Sequence, residues 1–136
     1  MAGERRRARA LALQALYEID SSGHQWEEVL SHLLAEAGLS EENASFVREV
    51  VMGVIQNKEK IDENIKNFAP AWPIEQISVV DRNILRLAIF EILIDNKATI
   101  KIAINEAVEL AKMFGSDKSS KFVNGVLGSV SNLVTG

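Results

Sequence analysis

A chain of 136 residues, 47% apolar and 25% charged, has the size and balance of one globular domain, which argues against global disorder. It contains no cysteine, so disulfides, thiolate nucleophiles and Cys-ligated metals are excluded. The most apolar stretch, residues 84–94, carries Arg86 and Glu91, which argues against a membrane span, and the opening residues lack a signal-peptide apolar segment, so a cytoplasmic address is expected. The net charge of −4 hides an asymmetry: residues 1–17 are net +3, residues 18–63 are net −8, and residues 64–136 are net +1. An acidic body with a compact basic head suggests a localised anion site.

Helical periodicity runs through nearly the whole chain. Residues 4–20 place Ala8, Leu11, Ala12, Ala15, Leu16 and Ile19 on one face, ending before Ser21-Ser22-Gly23. A second helix over 25–37 carries Trp26, Val29, Leu30, Leu33, Leu34 and Ala37, with Gly38 as its C-terminal cap. Ser40 then reads as the N-cap of one long helix reaching residue 68, with Glu41 and Glu42 in its first turn. Its inward stripe is Phe46, Val50, Val54, Ile61, Ile65 and Phe68, and Gly53 permits a close crossing.

The only prolines, Pro70 and Pro73, bracket Ala71-Trp72 and divide one helical domain, residues 1–136, into halves 1–69 and 74–136. Ser78 to Asp81 resembles a capping box opening a helix over 79–95 that is apolar on most faces and therefore belongs at the centre. Ile100, Ile102 and Ile104 alternate as in a strand, but no second strand is available to pair, so a helix from Thr99 to Gly115 is expected. A last helix over 118–133 buries Phe122, Val126, Val130, Leu133 and Val134, with Gly125 and Gly128 allowing close packing.

Catalytic apparatus is not evident. With two histidines, no Walker loop, no dinucleotide fingerprint and no HExxH, neither a metal site nor a cofactor is expected. Glu28, His32 and Glu36 share helical spacing but read as a solvated face. Arg5, Arg6, Arg7 and Arg9 are different. They crowd the start of a helix whose dipole is already positive there, at a cost of roughly 0.3–1 kcal/mol per badly placed charge. A polyanion would relieve that conflict, and guanidinium suits phosphate through paired hydrogen bonds, so a nucleic-acid backbone is the leading ligand class. The alternative is a frayed, solubilising arm. A second basic region, Lys112, Lys118 and Lys121, leads into Phe122, which suits either a nucleobase contact or the core.

With these residues in view, the chain resembles the NusB family of bacterial transcription antitermination factors over nearly its whole length. The matching segments are RRRARALALQALYEID (5–20), VVMGVIQNKEKID (50–62), DRNILRLAIFE (81–91), INEAVELAKMFG (104–115) and SSKFVNGVL (119–127), in the family's order and spacing. The resemblance implies an all-α fold of two three-helix halves packed around a central buried helix. It also implies a non-enzymatic adaptor that binds single-stranded boxA RNA with the ribosomal protein NusE, in the antitermination complex on RNA polymerase during ribosomal RNA transcription.

Carried over by position, Arg5, Arg6, Arg7 and Arg9 would hold phosphates, and Lys121 and Phe122 would lie beside the RNA. The helix beginning at Asp81, with Tyr17, would face the protein partner. Thr99 stands where the family commonly has proline, and Lys118 where an acid is common, adding charge near the proposed RNA surface. Asn105, Glu106, Arg82 and Arg86 are expected to be structural, with Glu106 or Glu109 pairing an arginine across helices. Two other readings remain at this point: a purely protein–protein adaptor without RNA contact, and a helical domain detached from an RNA-modifying enzyme.

Overall fold

The computed structural model describes residues 2–135, with the side chains of residues 2, 134 and 135 excepted, so the expectation for Val134 lies outside the described side chains. Among the described residues the fold is all helical, without strands: α1 Ala2–Ser22, α2 Trp26–Ala37, α3 Glu41–Gln56, α4 Lys58–Phe68, α5 Val79–Ile89, α6 Ile100–Phe114 and α7 Ser119–Thr135. No described helix is long and apolar enough to cross a membrane.

Short polar residues set the helix starts. Ser40 Oγ accepts from the Asn43 N–H, Ser78 Oγ from that of Asp81, and Thr99 Oγ1 from that of Ile102. Thr99 thus performs the capping that begins α6, and the alternating isoleucines are helical. Gly38 closes α2 at φ 67°, in the left-handed region that suits glycine.

Two expected helices are interrupted. The one expected over 40–68 breaks at Asn57, whose side-chain Nδ2 and backbone N–H both donate to the Gly53 carbonyl, at 2.8 and 3.0 Å. An asparagine side chain that competes with the backbone ends α3 there, and α4 restarts at Lys58. The helix expected to reach residue 95 is regular only to Ile89. Phe90–Asp95 continue in π-type turns, which end where Asn96 adopts φ 56°.

α5 is the centre, packing against α1, α3, α4, α6 and α7. Asn83 to Ile92 are all buried along it and its extension. Ala8, Ala12 and Ala15 have no exposed surface, so the inward face of α1 is small and lies close to its neighbours. The expected crossing at Gly53 is present: a methyl built there would enter the Phe90 ring. Gly125 and Gly128 pack differently from expectation, since nothing lies within 4 Å of a Cβ built on either. On α7, Val126 and Val130 are buried and Phe122 is half-buried, but Leu133 is 60% exposed.

An ionic cluster ties α5 to α1 and α4. Asp20 accepts from Arg82 Nε and Nη2, Asn83 Nδ2 and Arg86 Nη1 at 2.8–2.9 Å, and Arg86 also donates to both oxygens of Asp62. Burial opposes ionisation of Asp20, but the hydrogen bonds from Arg82 and Asn83 and the charges of both arginines outweigh it, lowering its pKa from 3.8 to about 2. Arg82 and Arg86 are structural, as expected.

Candidate nucleic-acid interface

The arginine-rich turns of α1 lie against α2, α3, α6 and the π-type turns, and each guanidinium meets an acceptor. Arg5 Nε donates to Asn43 Oδ1 at 2.7 Å, its guanidinium sits 4.1 Å from the Phe46 ring centroid, and Nη2 is 3.9 Å from Glu42. Arg6 makes a two-pronged pair with Glu106 on α6, at 3.0 and 2.8 Å. This is the cross-helix pairing expected of Glu106 or Glu109, and the hydrogen bonds and charge of Arg6 lower the pKa of Glu106. Arg7 Nη2 donates to the Ala37 carbonyl at 2.7 Å, at the negative end of the α2 dipole.

Glu4 caps the next element. It accepts from the Ser40 N–H at 2.7 Å, and that bond, with the side chains of Asn43 and Ser40, lowers its pKa from 4.5 to about 2. The expected excess of positive charge at the start of α1 is therefore largely balanced inside the chain. The carboxylates that do so most directly, Glu91 and Glu106, lie 82 and 100 residues in sequence from Arg9 and Arg6.

Arg9 requires a correction. It is 6% exposed and makes two parallel hydrogen bonds to Glu91, itself 1% exposed. A phosphate reaching Arg9 would have to displace a buried carboxylate, so Arg9 is structural rather than an RNA contact. A charged residue inside the apolar run 84–94 was the available signal that Glu91 needed a buried partner. By contrast, the side chain of Arg6 keeps 46% exposure and that of Arg5 35%.

The second basic region follows the exposed side of α6. Lys112 is exposed and, among the described residues, its side chain pairs only with Glu109, at 3.4 Å. From Glu106, which holds Arg6, to Lys112 is about 9 Å of helix at ~1.5 Å per residue. Lys118 and Lys121, just beyond, are exposed, and their side chains have no ion-pair or hydrogen-bond partner among the described residues. Phe122 is half-buried and meets Trp72 edge to face, with centroids 6.5 Å apart at 77°. Sequence reading passed over Trp72, although an aromatic residue between two prolines is hard to bury.

Tyr17 and Asp81 do not share a cavity. Tyr17, 45% exposed, lines a concavity of about 630 Å³ with Leu11, Leu39, Val80 and the half-exposed Phe114, and Arg7, Gln14 and Glu36 also border it. Asp81, the next residue after Val80, opens on the other side, into a cavity of about 300 Å³ with Trp72, Lys118 and Phe122. Glu28, His32 and Glu36 are all exposed, and the described residues contain no group of side chains that could hold a metal.

Residues 6–132 match the sequence profile of the NusB family. A transcription antitermination protein NusB from Dehalococcoides mccartyi is 56% identical over 131 residues, covering 96% of this chain and 92% of its own length. A crystal form of T. maritima NusB superposes with a TM-score of 0.88 at 33% identity, covering 94% of this chain and 90% of that one. A crystal structure of the antitermination factors NusB and NusE in complex with dsRNA superposes with a TM-score of 0.89 at 26% identity, covering 98% and 99%.

Proposed function

The chain belongs to the NusB family, and we propose from that premise that it is a transcription antitermination factor that binds RNA together with a NusE-type ribosomal protein. It acts as an adaptor rather than an enzyme, in the cytoplasm, and its RNA is a boxA-like segment of a ribosomal RNA transcript. Arg5, Arg6 and Arg7 hold phosphate oxygens, Lys112, Lys118 and Lys121 continue the contact, and Phe122 lies beside the RNA. The partner protein covers the concavity at Tyr17, whose wall includes Val80 of α5 and whose rim includes Arg7 and Glu36.

The observation that carries this reading is the course of the exposed cations. Arg6 is joined through Glu106 to α6, and the exposed side of α6 leads by way of Lys112 to Lys118 and Lys121, whose ammonium groups have no partners among the described residues. A nucleic-acid backbone laid along α6 neutralises them in turn, and guanidiniums already held by Asn43, Glu106 and Ala37 need little further ordering.

RNA binding measured across a salt series, with and without the NusE-type partner, tests the assignment. The expected slope falls by about 1 for each phosphate-holding residue replaced, here Arg5→Ala and Arg7→Ala. A slope unmoved by both removes the arm from the interface. Partner binding that persists without any RNA shift leaves a purely protein-binding adaptor.

A further inference from the structure

Trp72 is the largest exposed side chain that the reading above leaves without a task. It sits in the proline-bracketed turn at residues 70–73 with 53% of its surface open, although an indole ordinarily gains by burial. One of its neighbours is Phe122, which meets it edge to face. Together with Gln76, Ile77, Asp81 and Lys118 they line a cavity of about 300 Å³.

Two features of that cavity point to a flat polar ligand. Asp81 Oδ1 is buried and has no hydrogen-bond partner among the described residues, a state that costs free energy and that an N–H donor reaching it relieves. Lys118, on the cavity wall, has no anion within ion-pair distance among the described residues. An aromatic face, an unfilled acceptor and a free cation in one small concavity are what an unpaired nucleobase needs: stacking, an acceptor for an amino or imino N–H, and a charge for its phosphate or carbonyl oxygen.

We propose that the cavity between the 70–73 turn and the first turns of α5 and α7 takes one unpaired nucleobase of the bound RNA, stacked on Trp72, with its N–H edge on Asp81. This rests on the RNA-binding reading and adds to it a base-contacting residue outside the basic clusters. A base stacked here leaves the duplex or strand axis, so the site selects RNA with at least one unpaired nucleotide next to the segment that α6 holds.

The chain has only two tryptophans, so a Trp26→Phe background leaves Trp72 as the sole indole reporter. Short single-stranded homopolymeric RNAs and a fully paired duplex, each titrated with and without the NusE-type partner, are the probes. Single strands should quench Trp72 emission and the duplex should not. Trp72→Ala should weaken single-strand binding by about ten- to a hundredfold while leaving the salt slope unchanged, because stacking releases no counterions. Trp72→Phe should recover most of the affinity, and Asp81→Asn should alter the ranking of the four homopolymers. RNA that binds with the expected salt slope, but leaves Trp72 emission and the Trp72→Ala affinity untouched, overturns the base site alone. If no RNA binds in any arm, the base site and the RNA-binding reading fall together.

Discussion

Arg9 and Glu91, 82 residues apart in sequence, meet in the interior through two parallel hydrogen bonds, Nε to Oε2 at 3.0 Å and Nη2 to Oε1 at 2.9 Å. The bond joins α1 to the π-type turns after α5, and so joins the two halves on either side of the proline turn. Both side chains are almost fully buried, and although Arg9 also lies 4.0 Å from Glu106 and faces the Phe46 ring, its two hydrogen bonds go to Glu91, so each charge of the pair is supported chiefly by the other.

Removing one partner should therefore be costly. Arg9→Ala is expected to lose roughly 3–5 kcal/mol, because Glu91 is left buried and uncompensated. The double variant Arg9→Met with Glu91→Leu should regain most of that loss, since an apolar pair of similar volume avoids the desolvation. Urea unfolding measures both. The refolded double variant should also bind RNA with an unchanged salt slope, as befits a structural arginine, and a slope lowered by about 1 would return Arg9 to the phosphate contacts.

The Asp20 cluster predicts the acid limb of stability. Asp20 has a folded pKa of about 2 against an ordinary 3.8, and Glu4 about 2 against 4.5. Because both folded values are depressed, their contribution is fully present above about pH 4.5 and is lost as the pH falls towards 2. Thermal melting between pH 5 and pH 2 should show this decline. Asp20→Asn should lower stability at neutral pH, by about 3 kcal/mol, and flatten the decline, because the variant has one fewer carboxylate to protonate.

The helical periods, caps and breakers made most of the fold legible. Ser40, Ser78, Thr99 and Gly38 mark ends that local hydrogen bonding decides, and local signals are the ones a sequence carries openly. The break at Asn57 was hidden because the apolar stripe runs on through Ile61 and Ile65, so periodicity outvoted one asparagine. The arginine cluster misled in a different way. Its spacing along α1 is visible, but its charge balance depends on Glu42, Glu91 and Glu106, which only the tertiary packing brings near. Asp20 and Asp62 likewise gain their arginine partners only when the packing of α5 delivers Arg82 and Arg86 to them.

At Gly53 the packing leaves no room for a side chain. A Cβ there would enter the Phe90 ring, which is itself held in the core at 4% exposure. Gly53→Ala should cost about 1–3 kcal/mol by overpacking, despite alanine's better helix propensity. Combining it with Phe90→Leu should cost less than the sum of the two changes, because the smaller side chain vacates the contested space. Additive losses in chemical denaturation would show that the two residues do not compete.

Lys118 offers the sharpest test of how the chain would share RNA with the proposed partner. It lines the Trp72 cavity, is exposed and has no carboxylate partner among the described residues, so its charge is available to an incoming phosphate. An acid at this position would instead repel phosphate and place a second carboxylate beside Asp81. Lys118→Glu should therefore weaken RNA binding by the chain alone by about tenfold at low salt and converge on wild type as screening shortens the electrostatic reach. Adding the NusE-type protein should rescue the variant more than the wild type if the partner supplies RNA contacts that replace the missing charge. Fluorescence anisotropy with labelled RNA resolves both effects, and equal affinities of variant and wild type without the partner would show that Lys118 does not lessen dependence on it.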